Sequence, residues 1–196
     1  MKKILLLTTS LICFHLSTYA QLRFGLTGGL QTSKLQVSAS GLSVNTSGLF
    51  GVHVGGVAEY TVNDNFFIRP ELLLSFKGGT LSDGFDKYRT SLTYLEVPIQ
   101  AVYKYEVGNG KLVGGIGPYF GFLLGGMDDD ERIEVGTDVK ALDAGLRLLG
   151  GYELTEKNLM LNLFYNVGLA NINPSARGKL KNSTFGLSVT YFLGER

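Results

Sequence analysis

The stretch FFIRPELLLSFK, residues 66–77, alternates two kinds of side chain without a break. One set is Phe66, Ile68, Pro70, Leu72, Leu74 and Phe76; the other is Phe67, Arg69, Glu71, Leu73, Ser75 and Lys77. Successive side chains of an extended strand point to opposite faces, so every charge here falls on one side of the ribbon. The same sorting holds at 95–105, where Leu95, Val97, Ile99, Ala101, Tyr103 and Tyr105 stand against Glu96, Pro98, Gln100, Val102 and Lys104. It holds again at 142–154, with Asp143, Arg147 and Glu153 opposite Leu142, Ala144, Leu146, Leu148, Tyr152 and Leu154.

Working outward from 66–77, eight runs of this kind follow residue 20, each about the ten residues that a tilted strand needs to cross a bilayer. The connections, near 33–46, 62–65, 78–91, 106–111, 125–140, 155–158 and 171–182, alternate long and short. The short ones carry turn residues that tolerate positive φ, such as Asn63-Asp64-Asn65 and Gly108-Asn109-Gly110. Helical periodicity is absent, and no segment has the apolar length of a membrane helix. The fold class expected is all-β: an eight-stranded antiparallel up-and-down transmembrane β-barrel. Alternation alone does not say which face is inside, because a soluble ligand-binding barrel would turn its apolar face inward. Loop asymmetry, an export leader and the placement of aromatic residues favour charges inside and lipid outside.

The leader is read at 1–20: a basic start at Lys2 and Lys3, an apolar run from Ile4 to Leu16, and small residues at Thr18 and Ala20. Cleavage is expected after Ala20, leaving residues 21–196 as one barrel domain. Cys13 is the only cysteine, and Ile12 before it does not suit lipoprotein processing. The mature chain then has no disulfide, thiolate nucleophile or cysteine metal site. Without Lys2 and Lys3 the 18 basic residues become 16 against 17 acidic ones, a formal charge of −1. That balance offers nucleic acid no footprint.

Tyr60, Tyr103, Tyr105, Tyr152 and Tyr191 lie at the same end of even-numbered strands, beside the short turns, and Phe66 begins the following strand there. Tyrosine rings favour the lipid–water boundary, so this set reads as one periplasmic aromatic girdle, with the long loops outside. The inward charges are Arg23, Arg69, Lys77, Lys104 and Arg147 against Glu59, Glu71, Glu96, Asp143 and Glu153. Glu59 is expected to face Arg69 across the second hairpin or lie one diagonal away, with Glu71 and Glu96 near the same arginine. An eight-stranded barrel is just wide enough for its side chains to fill it, and buried charges are tolerable when paired. A narrow pore lined by Gly115, Gly117 and Gly121 is the competing reading of the interior.

The segments FFIRPELLLSFKGG (66–79) and YLEVPIQAVYKY (94–105) resemble the PorT-type outer-membrane β-barrel family of Bacteroidetes, an OmpX- or OmpA-like eight-stranded barrel. GGIGPYFGFLLGG, DAGLRLLGGYEL and FYNVGLANI are similar to its second half, so the resemblance covers essentially all of 21–192. It implies the fold and a Gram-negative outer membrane, and a role supporting protein secretion. Thr184, Gly186, Val189 and Tyr191 resemble the final-strand signal read by barrel-assembly machinery, although the chain continues through Phe192 to Arg196.

Catalysis has little to build on. His53 is the only histidine after residue 20, and Glu59 lies six residues along the same strand, too far for a dyad. The third long loop is acidic (Asp128, Asp129, Asp130, Glu131, Glu134, Asp138) but does not fit an EF-hand, and the fourth is basic (Arg177, Lys179, Lys181). No cofactor is expected. The expected partners are outer-membrane lipid and lipopolysaccharide, the barrel-assembly machinery, and envelope or secretion proteins. The function expected is a non-enzymatic secretion or envelope-assembly accessory acting through loop or rim contacts; a small-solute pore and a surface adhesion module are the alternatives.

Overall fold

The computed structural model describes residues 22–39, 42–82, 87–129, 131–175 and 178–193. The expected leader at 1–20 with Cys13, and also Asp130, Arg177 and the tail from Gly194, lie outside them. Eight long strands form the wall: β1 Leu22–Ala39, β2 Ser47–Thr61, β3 Phe66–Ser82, β4 Lys87–Val107, β5 Gly110–Asp128, β6 Leu142–Leu154, β7 Leu159–Gly168 and β8 Lys179–Leu193. Each pairs antiparallel with its neighbour in the chain, and β1 pairs with β8, so the sheet closes on itself. Closure satisfies every strand edge, which is what a sheet inside lipid requires.

The short-turn rim is made as its residues dictate. At 62–65, Asn63 Oδ1 accepts hydrogen bonds from the backbone N–H groups of Asn65 at 3.0 Å and Phe66 at 2.9 Å. Gly108 takes φ of 61°, where a glycine meets no Cβ clash, and Asn158, a residue that tolerates the same region, reverses the chain at φ of 52° after a single 3-10 turn, Thr155–Lys157.

At the other rim the structure corrects the expected loops. β1 runs to Ala39, β3 to Ser82, β4 starts at Lys87 and β5 reaches Asp128, so much of 33–46, 78–91 and 125–140 is strand. A strand of 21 residues such as β4 is about twice what a bilayer crossing takes. The physical reason is that outward positions there are polar, for example Lys34, Gln36 and Ser38, while the ladder continues through Gln36↔Lys181, Ser38↔Lys179 and Thr80↔Arg89. Backbone pairing persists in water after the apolar alternation has ended. Leu42–Asn45 folds back on the end of β1, and Glu131–Arg132 on the end of β5.

The two faces separate cleanly. Along β3, Phe67, Arg69, Glu71, Leu73, Ser75 and Lys77 are buried, while Phe66, Ile68, Leu72 and Phe76 are exposed. Pro70 lies on the outer face, whereas Pro98 is buried inside between Glu96 and Gln100. Apolar residues fill the lumen in two clusters. One, Val57, Phe67, Val102, Val113, Leu149, Met160 and Phe192, lies toward the short turns. The other joins Leu35, Leu92, Tyr94 and Leu123 of the wall to Ile133, Val139 and Ile172 of the third and fourth long loops, which fold over the mouth.

Gly115, Gly117 and Gly121 do face inward, but the space left by their missing side chains is occupied. A Cβ on Gly115 would stand 3.1 Å from Val102 Cγ2, one on Gly121 would stand 3.2 Å from the Tyr94 ring, and one on Gly117 would collide with the Ile99 carbonyl oxygen. Because backbone cannot yield as a flexible side chain can, Gly117→Val should destabilise the barrel by on the order of 3 kcal/mol. Loss of the compact, fast-migrating band on unheated gels would report it, and a variant as stable as the parent would contradict the packing described.

Candidate functional site

The inner face carries the charged residues in three tiers, ordered along β4 from the short turns as Lys104, Val102, Gln100, Pro98, Glu96, Tyr94 and Leu92. In the lowest tier Arg23 of β1 donates to Glu59 of β2, with Nη2 2.6 Å from Oε1, and grips Glu153 of β6 with both terminal nitrogens at 2.8 and 3.0 Å. Lys104 Nζ lies 2.6 Å from the same two carboxylates. Two cations and two anions from four strands thus form one closed set, directly beneath the lower apolar cluster. Arg23 also lies over the Phe192 ring at 3.6 Å and Lys104 over Phe67 at 4.5 Å, contacts that favour a cation on an aromatic face.

The middle tier joins Arg69 and Arg147 through Glu71, at 3.4 and 3.6 Å, and Gln100 donates to Glu71 at 3.1 Å. In the upper tier Lys77 pairs with Glu96, and the Tyr119 hydroxyl approaches Asp143 at 3.4 Å. All ten charged residues assigned to the interior therefore sit there, and Glu59 faces Arg69 in register as expected, with Glu71 beside the same arginine, but the ion pairs that Glu59 and Glu96 form lie elsewhere. Glu59 stands at the register position opposite Arg69, between the pairs Val57↔Glu71 and Tyr60↔Ile68, yet its carboxylate takes Arg23 and Lys104. Arg69 turns across the lumen to Met160 Sδ at 3.1 Å and Thr190 Oγ1 at 3.3 Å. Glu96 takes Lys77 instead of Arg69, because Lys77 and Glu96 share the upper tier.

His53 reaches over Gly29 of the intervening strand to Ser188, with Nε2 and Oγ 2.8 Å apart, and its ring meets Phe164 edge-on at 5.2 Å. A side chain on Gly29 would press within 2.9 Å of that imidazole. The pair is fully enclosed, with His53 2% exposed, so no substrate reaches it in this arrangement. The alternation of the sequence put His53 inside but could not name Ser188, which lies 135 residues away.

Tyr60, Phe66, Tyr103, Tyr105 and Tyr191 are exposed on the outer face near the short turns; Tyr152, half-buried there, donates its hydroxyl to the Val107 carbonyl at 2.8 Å. Phe66 and Tyr103 touch, with ring centroids 5.0 Å apart. On β8 Thr184 and Gly186 face inward and Val189 and Tyr191 outward. In the third loop Asp128 accepts from the Thr90 hydroxyl, Asp129 from the Arg89 N–H and Asp138 from the Glu134 N–H, at 2.6 to 2.8 Å. These carboxylates hold the loop in shape, and among the described residues no group of three metal-ligating side chains converges.

A closed antiparallel ring with lipid-exposed apolar residues outside and ion pairs inside defines a class, the bacterial outer-membrane barrels. The chain belongs to the outer membrane protein beta-barrel domain family, whose model matches residues 17–173. Its place is the outer membrane. No curated protein matches the sequence. Solved structures with a similar course include the attachment invasion locus protein Ail of Yersinia pestis, at 15% identity over 88% of this chain and 99% of that one, TM-score 0.47. Neisserial surface protein A shares 16% identity over 85% and 96%, TM-score 0.45. The N-terminal β-barrel domain of Pseudomonas aeruginosa OprF shares 13% over 85% and 97%, TM-score 0.40.

Proposed function

We propose that this protein is a non-enzymatic, PorT-like envelope component whose long-loop end, facing outside, contacts partner proteins in secretion or envelope assembly. The observation that carries the reading is the sealing of the barrel by its own loops. Ile133, Val139 and Ile172 pack on wall residues to form an ordered lid over a lumen already filled by ion pairs. A lid held in one shape is a recognition surface with little ordering cost on binding. The segments at 66–79 and 94–105 support the PorT-type affiliation, and an export leader at 1–20 fits it.

Photo-crosslinking from Glu134 and Asp138, both exposed in the third loop, tests this in native membranes. Recovery of one specific envelope protein, lost when the loop is shortened without loss of folding, is the result expected. Failure to recover a specific partner, together with ion conduction by the purified protein, would overturn it in favour of a pore. Attachment of intact cells to host or matrix surfaces through the same loops would point to adhesion instead.

A further inference from the structure

We propose that the outward face of the β1–β8 seam, at its long-loop end, holds the phosphate of an outer-leaflet glycolipid. The inference rests on the orientation given above, with long loops outside. Lys34, Gln36 and Ser38 of β1 are paired with Ser183, Lys181 and Lys179 of β8, respectively. Their inner-face neighbours Ser33, Leu35 and Asn182 are buried, so strand alternation turns all six outward. Lys34 and Lys181 are diagonal neighbours across the pair, about 7–8 Å apart, and Lys181 and Lys179 are two apart on one strand, about 6.6 Å, spacings that suit one shared anion. The patch thus presents three ammonium groups, an amide and two hydroxyls, with no carboxylate among its six residues.

What lies below the patch selects a lipid over a soluble anion. On the same face, one step toward the bilayer, are Leu30, Phe50, Val52, Phe185 and Leu187, joined by the pairs Leu30↔Leu187, Thr32↔Phe185, Leu30↔Val52 and Thr32↔Phe50. Phe50 is 84% and Leu30 64% exposed, as acyl-chain contacts should be. The lysines therefore stand where this apolar wall meets the headgroups, the level at which long basic side chains hold lipid phosphates. Across the ring, the end of β5 and the loop after it carry Asp128, Asp129, Glu131 and Glu134 instead. There the basic residues Lys87, Arg89, Arg132 and Lys140 are interspersed with these acids, whereas the six residues of the seam include no carboxylate.

The test places the purified protein in phosphatidylcholine vesicles containing lipopolysaccharide, either intact or enzymatically dephosphorylated, and measures the glycolipid retained by the protein. The wild type should retain the intact form about tenfold more strongly. The double variant Lys34→Gln, Lys181→Gln should fall to the dephosphorylated level, and Arg89→Gln on the far side should not. Equal retention of the two forms by the wild type would overturn the proposal whatever the variants do, as would an unchanged preference in a double variant that migrates as folded. Displacement by inorganic phosphate would also overturn it, by showing a free-anion site. Absence of any lipid preference in the wild type, with partner crosslinking intact, would sink this inference alone.

Discussion

Glu153→Leu should destabilise the barrel by about 3–5 kcal/mol, because it strips one anion from a set of four charges in which Glu59, Lys104 and Glu153 are fully buried and Arg23 is only 18% exposed. Glu153 is 0% exposed, binds Arg23 at 2.8 and 3.0 Å, and takes Lys104 at 2.6 Å. Without it, Arg23 and Lys104 share only Glu59, and one cation is left poorly compensated away from water. Lys104→Met in the same chain removes that excess charge, so the double variant should be about 2 kcal/mol more stable than the sum of the single effects. Denaturant titrations in vesicles, read by the gel mobility of the folded barrel or by far-UV circular dichroism, measure both; the chain has no tryptophan to report by fluorescence. A Glu153→Leu variant within about 0.5 kcal/mol of the parent would mean that the lowest tier does not anchor the wall.

Ile172→Asp should open the outer lid without unfolding the barrel. Ile172 is 0% exposed, its N–H donates to the Leu180 carbonyl at 2.9 Å, and its own carbonyl accepts from the Lys140 N–H at 2.8 Å. It therefore clips the third loop to the base of β8 while its side chain fills the apolar cluster. A carboxylate there meets no cation among Leu35, Leu92, Tyr94, Leu123, Ile133 and Val139, and the Tyr94 hydroxyl is the one side-chain donor of that cluster, so burying the charge would cost several kcal/mol. The lid can escape that cost by swinging out, since the wall's hydrogen-bond ladder does not depend on it. Protease cleavage near 131–140 and 170–175 should then accelerate on the order of 100-fold while the folded band on gels persists. Ile172→Val should change cleavage little, and a protease-resistant Ile172→Asp variant would show that the lid is not held by this packing.

Much of this architecture was readable before the fold was known, for a physical reason. Alternation is a property of neighbouring residues, so Arg69, Glu71 and Lys77 declare a common face from within one strand, and Tyr103 and Tyr105 declare a common end with Tyr60. Partner choice is not local. Arg69 lies opposite Glu59 in register, yet Met160 and Thr190, from strands across the lumen, take its terminal nitrogens. No spacing in the chain encodes that reach. The lid is not legible in the sequence for a related reason: Ile133, Val139 and Ile172 stand among polar neighbours, with no period to mark them. Alternation places the strand ends too early because Lys34, Gln36 and Ser38 lack the outward apolar residues that mark a membrane crossing, although their backbone stays paired.

The interior is a packed core of ion pairs and apolar plugs, and such a core should pass no ions. Conductance of the purified protein in planar bilayers tests it most directly. No discrete current steps should rise above the bare-membrane baseline, for the parent and equally for the Ile172→Asp variant, whose lower tiers remain closed. Reproducible channel openings in the parent protein would contradict it.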